Sequence, residues 1–242
     1  MSLGMFCSIP LPVHPWDDRC MGLMLPCLPL VGAAIGAIWW GLAELLACSG
    51  MHLMPAAAIV AVLPYALSGF LHLDGFMDTS DAVLSRRPLE EKLRILKEPH
   101  LGMFSAVMLG ILFMLQFSAA YAVLDRGKSL PMLAVIPILS RCCGAASLLC
   151  LKPMPQSGYG NLFTQNTGAG HKFFVALVGA GAVAGAFLAA GAGGAIAAGC
   201  AILGYALAMA WSYVEFKGIS GDLTGFSIMA GELSGLLAWG VL

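Results

Sequence analysis

The chain has 242 residues, of which 60% are apolar and 10% charged, with a mean hydropathy of +0.88 and a formal net charge of -1. That balance excludes an ordinary soluble domain and points to an all-α, polytopic integral membrane protein, read as a single domain over residues 1–242. It also excludes nucleic acid as a partner, because no strongly basic surface is present.

In chain order, the stretch Met1 to Asp18 carries several prolines and no basic start followed by an apolar core, so a cleaved leader is not expected. The first apolar run, Leu28 to Cys48, is long enough to cross a bilayer, and Glu44 near its far end faces a polar interface. Further runs follow at Met54 to Leu73, Leu101 to Leu124, Leu130 to Leu151, Phe173 to Ala190, Gly193 to Tyr213 and Gly225 to Leu242. They give about seven transmembrane helices by the rule of roughly 20 apolar residues per span. Between the fifth and sixth runs, Ala189 to Gly194 is Ala and Gly alone, either a tight turn or a break in one long segment. The small residues around it suit close helix packing. The eight cysteines lie mostly within these runs and show no CxxC spacing, so they read as small core residues.

Short loops rich in Lys and Arg stay in the cytoplasm. Arg86, Arg87, Lys92, Arg94 and Lys97 therefore put the segment after the second run inside, and Arg19, Lys152, Lys172 and Lys217 agree; only Arg126 and Lys128 dissent. The polar segments from Leu71 to His100, Lys152 to Lys172 and Glu215 to Thr224 then share the cytoplasmic face, where nucleotides and magnesium are available.

Most of the chemistry sits in LHLDGFMDTSDAVLSRR, Leu71 to Arg87. Asp74, Asp78 and Asp81 are spaced i, i+4 and i+7, so a helix continuing out of the second run would carry them on one side within about two turns. Three like charges repel unless a cation sits among them, and hard oxygen ligands favour magnesium (Mg2+) or manganese. Gly75 removes a side chain where a phosphate or another backbone comes close. Carboxylates, metal and guanidinium together are what a pyrophosphate site needs. Arg86, Arg87 or Lys97 could face the leaving phosphate, and His72, His100 or His171 are candidate bases. Arg141 and Glu232 lie inside apolar runs, where a charge is costly unless paired or used on a substrate, so pairing with each other and gripping the substrate both stay open. Asn161, in the glycine-rich GYGN, is a candidate phosphate or ribose contact.

HLDGFMDTSDAVLS followed by ILKEPHLGMF resembles the signature of the adenosylcobinamide-GDP ribazoletransferases, also called cobalamin (5'-phosphate) synthases. The likeness covers nearly the whole chain: IPLPV and LPLVGAAIGA near the start, LSRCCGAASLL in the middle, then SGYGNLF, and GDLTGFSIMAGEL near the end. Ala82, His100 and Met229 depart from the usual Gly, Arg and Glu, while Asp222 and Glu232 keep the acids of the closing motif. The resemblance implies transfer of adenosylcobinamide phosphate from adenosylcobinamide-GDP to a ribose hydroxyl of alpha-ribazole or its 5'-phosphate, with release of GMP. It implies a magnesium-dependent, multi-pass enzyme of the prokaryotic inner membrane, in contact with lipid and compatible with a homo-oligomer. The expected metal ligands are Asp74, Asp78 and Asp81; His72 and Arg87 join them in catalysis. Arg86, Lys97, His100, Arg141, Asn161, Asp222 and Glu232 are expected on the substrate.

Three rival classes fit less well. A CDP-alcohol phosphotransferase would follow DGxx with Ala-Arg, whereas Asp78 and Thr79 stand there. A prenyltransferase would carry a second aspartate-rich motif, and only Asp222 is isolated downstream. A cation transporter would place its acids near the bilayer midplane.

Overall fold

The structure, a computed structural model, describes residues 1–10, 17–97, 101–154 and 167–242. These residues form helices and no strand beyond an isolated bridge between Pro153 and Ile219. After a short α1 (Ser2–Phe6), the helices are α2 (Leu28–Cys48), α3 (Leu53–Leu67), α4 (Leu71–Leu84), α5 (Leu89–Ile95), α6 (Met103–Asp125), α7 (Met132–Cys150), α8 (Ala169–Phe216) and α9 (Gly221–Val241).

Four of them, α2, α6, α7 and α8, are long and apolar enough to cross a membrane, and the bent pair α3 and α4 makes a fifth candidate. The protein is thus an all-α, multi-pass membrane protein. The fifth and sixth expected spans both fall within the 48 residues of α8, whose helical backbone breaks at Ala190 and Gly191, the latter at φ 61°. A Cβ built on Gly194 would overlap the carbonyl oxygen of Ala186. Eight residues of straight helix would separate those positions by about 12 Å, so the chain doubles back at the break. Ala182 and Ala186 from one limb and Ala197 and Ala198 from the other accordingly share one core cluster. The seventh expected span, Gly225 to Leu242, falls on α9, which is not among the helices apolar enough to cross a membrane, because its glycines, serines, Asp222 and Glu232 lower its hydropathy.

The second expected span needs correction. α3 stops at Leu67, three residues after Pro64, and Gly69 and Phe70 follow in the left-handed region at φ 62° and 59°. The chain turns by 90° there before α4 begins. Ser8 clamps this corner: its N–H donates to the Leu67 carbonyl (2.8 Å) and its hydroxyl to that of Ala66 (2.6 Å). The acidic helix is therefore a separate element, set across the bundle.

Close backbone approach holds the remainder. A Cβ on Gly32 or Gly36 of α2 would strike the α7 backbone at Pro137 or Ala134, the small-residue spacing that lets membrane helices meet. The Trp39 indole donates to the Val60 carbonyl at 2.7 Å, tying α2 to α3. α9 runs between α4, α6, α7 and α8. At its start, Met154 N–H donates to the Ile219 carbonyl and Ile219 N–H to that of Lys152, each at 3.0 Å. Lys92 of α5 is ion-paired there with Glu215 of α8. At its far end, Trp239 donates to the Ser129 carbonyl (3.2 Å) and Arg126 to that of Val241 (2.6 Å).

Candidate active site

Asp74, Asp78 and Asp81 lie along one side of α4, with Asp74 exposed and the other two half-buried. The opposite side of the helix, with His72, Leu73, Phe76 and Val83, is buried. Two glycines then bring in a fourth acid. A Cβ on Gly75 would stand 2.8 Å from the Asp222 carbonyl oxygen and 2.9 Å from its Cα, and one on Gly225 would stand 3.2 Å from the His72 carbonyl. α4 and α9 thus cross almost backbone to backbone, which sets the first turn of α9 beside the acids of α4. Gly75 makes room for this neighbouring backbone.

The electrostatics follow from that crossing. Burial and then the charges of Asp74, Asp222 and Asp81 push the Asp78 carboxyl from its ordinary 3.8 up to about 6. No basic side chain is ion-paired with these four carboxylates among the described residues. Uncompensated like charges in one place attract a cation.

Among the described residues no three His, Cys, Asp or Glu converge into a ready metal cage. Asp81 accounts for part of this, because its carboxylate fills the space a Cβ would take on Gly102, at the N-terminus of α6. An open set of hard oxygen donors suits magnesium, which is commonly held by one or two carboxylates with water and substrate phosphate completing its shell. Asp74 and Asp78, with Asp222 adjoining, are the donors that fit.

The other expected site residues are divided by the fold. Arg86 and Arg87 follow the end of α4 with exposed side chains, Arg86 in the left-handed region at φ 53°. Arg87 faces Glu91 of its own segment at 3.6 Å, a carboxylate shared with Arg94 at 2.9 Å. Lys97, beyond α5, is exposed. His72 is buried on the side of α4 away from the acids, its Nδ1 3.4 Å from Arg141 Nη2. Arg141 is ion-paired with Glu232, and the Ser140 hydroxyl bridges them, 2.9 Å from Glu232 Oε1 and 3.0 Å from Arg141 Nη1. All three are buried, so of the two readings of these charges the geometry displays mutual pairing. His171 accepts the Gly168 N–H on its Nδ1 at 3.1 Å, capping α8. His100 and Asn161 lie outside the described residues.

Sequence reasoning missed the crossing and the turning of Asp81 to Gly102. The available signal was Gly75 beside one acid and Gly225 three residues beyond another.

Comparison with known proteins is consistent along the whole chain. The family described as cobalamin-5-phosphate synthase matches residues 1–240. A Clostridium botulinum (strain Alaska E43 / Type E3) protein named adenosylcobinamide-GDP ribazoletransferase is 36% identical, covering 98% of this chain and 94% of its own. Proteins of the same name from Clostridium perfringens (strain ATCC 13124) and Geobacillus kaustophilus (strain HTA426) are 34% and 30% identical over 100% of this chain, covering 96% and 93% of theirs. No solved structure matches.

Proposed function

The chain belongs to the cobalamin-5-phosphate synthase family, and from that premise we propose that it is an adenosylcobinamide-GDP ribazoletransferase. A ribose hydroxyl of alpha-ribazole or its 5'-phosphate attacks the phosphorus that carries adenosylcobinamide. The new O–P bond forms as the pyrophosphate P–O bond breaks, the hydroxyl proton passes to water, and GMP leaves with the electron pair. The observation that carries this reading is the open acidic cluster on α4, joined by Asp222 where Gly75 meets α9.

Asp74 and Asp78 would hold the cation, with Asp222 beside them as a further oxygen donor. Magnesium, when bound, neutralises phosphate oxygens as charge develops in the transition state. The chain's own part is positioning. α4 is fixed at its start by the Gly69–Phe70 corner and by Ser8, and along its length by the crossing with α9. Arg86 and Lys97, exposed just beyond the acids in the chain, supply cations for the substrate's phosphates. Arg141, Ser140, Glu232 and His72 tie α4, α7 and α9 together behind the site.

The acidic end faces the cytoplasm across a prokaryotic inner membrane. Supporting this are Arg86, Arg87, Arg94 and Lys97, exposed in the segment that follows the acids. The decisive experiment incubates purified, detergent-solubilised protein with adenosylcobinamide-GDP, alpha-ribazole phosphate and magnesium. Mass spectrometry should then find a cobamide and GMP in equal amounts. Absence of both, where one of the Clostridium relatives is active, removes this reading.

A further inference from the structure

Arg126 and Lys128 are the two basic residues that break the charge asymmetry of the chain, and they lie at the end of the bundle away from the acidic cluster. Arg126 is engaged by the Val241 carbonyl. Lys128 instead lines a cavity of about 420 Å³ between the end of α2 and the turn joining α6 to α7. Its ammonium stands 5.4 Å from the centre of the Trp239 ring. Glu44 is the other charged residue in the lining; Ala47, Val123 and Leu130 contribute apolar wall.

Glu44 and Lys128 are not ion-paired with each other, nor with another residue among those described. The Trp40 indole donates to Glu44 Oε1 at 2.9 Å, which fixes the carboxylate and leaves Oε2 for another donor. One cavity therefore presents an anion and a cation, held apart by aromatic partners. Tryptophans concentrate where helices meet the membrane surface, and α2 leaves Trp40 exposed one turn before Glu44, with Ile38 and Leu45 exposed elsewhere on the same helix. A ligand matching all of this is itself a zwitterion with apolar tails.

We propose that this cavity binds a phospholipid with a phosphoethanolamine headgroup, its phosphate on Lys128 and its ammonium on Glu44. The site is separate from the proposed reaction, so failure of either reading leaves the other standing. Phosphocholine has the same charges but no N–H to donate, and phosphoglycerol has no cation.

The test uses the full-length protein in detergent, exchanged against equal amounts of phosphatidylethanolamine, phosphatidylcholine and phosphatidylglycerol with identical acyl chains. Retained lipid is counted by native mass spectrometry. Phosphatidylethanolamine should exceed phosphatidylcholine roughly tenfold, the effect of about one charge-assisted hydrogen bond. Glu44→Gln should abolish that preference, and Lys128→Gln should reduce retention of both phosphatidylethanolamine and phosphatidylglycerol. Both variants should elute from size exclusion as a single monodisperse peak with a wild-type Tm, which reports that they fold. If either misfolds, Glu44→Ala or Lys128→Ala replaces it and should show the same loss. Tail-free glycerophosphoethanolamine should compete only at far higher concentration; equal potency would overturn the lipid assignment. Equal retention of the ethanolamine and choline lipids by wild type, or an unchanged preference in Glu44→Gln, would overturn the site.

Discussion

Asp74, Asp78 and Asp81 share a helix face, yet their surroundings give them different work. Asp74 is exposed and Asp78 is crowded by three other carboxylates, whereas Asp81 is turned toward Gly102 at the start of α6. Replacing Asp74 or Asp78 with Ala should lower turnover by about 10²–10³-fold or more, the usual effect of removing one group that stabilises transition-state charge. Asp81→Asn should cost far less. Gly102→Ala should reproduce it, because the new methyl displaces only the end of the Asp81 side chain. Equal losses in all three aspartate variants, measured across a magnesium titration, would return Asp81 to the cation. A second outcome concerns pH. The Asp78 carboxyl is raised from 3.8 to about 6 in the fold, so the folded state holds its proton more tightly than the unfolded chain. Its contribution to stability is present below about pH 4 and is lost as pH rises through about 6. Without divalent cation, Tm should therefore fall between those values more steeply in wild type than in Asp78→Asn, and magnesium should narrow the gap above pH 6. Parallel profiles for the two proteins would contradict the crowding of charge.

At the scale of helices, α4 is held by α9 at the Gly75–Gly225 crossing and by α7 through the reach of Arg141 to His72. The Arg141–Glu232 pair is buried inside the bundle, where breaking one partner strands a charge. Arg141→Met alone and Glu232→Gln alone should each reduce folded protein in the membrane, by an effect of about 3–5 kcal/mol. The double variant should recover folding and much of the turnover, because a buried pair replaced together is tolerated far better than a broken one. Recovery is read from monodispersity in detergent and from cobamide formation. A double variant that folds but stays inactive would place Arg141 on the substrate's phosphate instead.

For the molecule as a whole, the two ends of the bundle differ in charge and in construction. One end carries the acids of α4, the start of α9 and the exposed basic residues around α5; the other carries the α8 hairpin turn, Ser129, Trp239 and the Glu44–Lys128 cavity. In a background lacking the native cysteines, Glu90→Cys should react with an impermeant thiol reagent only after the cells are opened. Ser49→Cys, at the other end, should react in intact cells. Labelling of Glu90→Cys from outside intact cells would invert the topology.

By itself the sequence determined whatever depends on local periodicity. Run length alone placed Leu28–Cys48 at the bounds of α2 and came within two residues of α6 and α7, since an apolar run of bilayer length is a property of the segment. Spacing alone put the three aspartates on one helix face, and the ordered series of motifs carried the family. What only the tertiary structure decided are the features that join distant residues or need unusual backbone. Left-handed Gly69 and Phe70 turn α4 out of the second span, a turn that apolar composition across Met54–Leu73 hides. Asp222 joins Asp78 across more than a hundred residues because two glycines let their helices touch. Glu232 reaches Arg141 and Asp81 reaches Gly102 for the same kind of reason: a charge's partner is fixed by how helices pack, and packing depends on the whole chain at once.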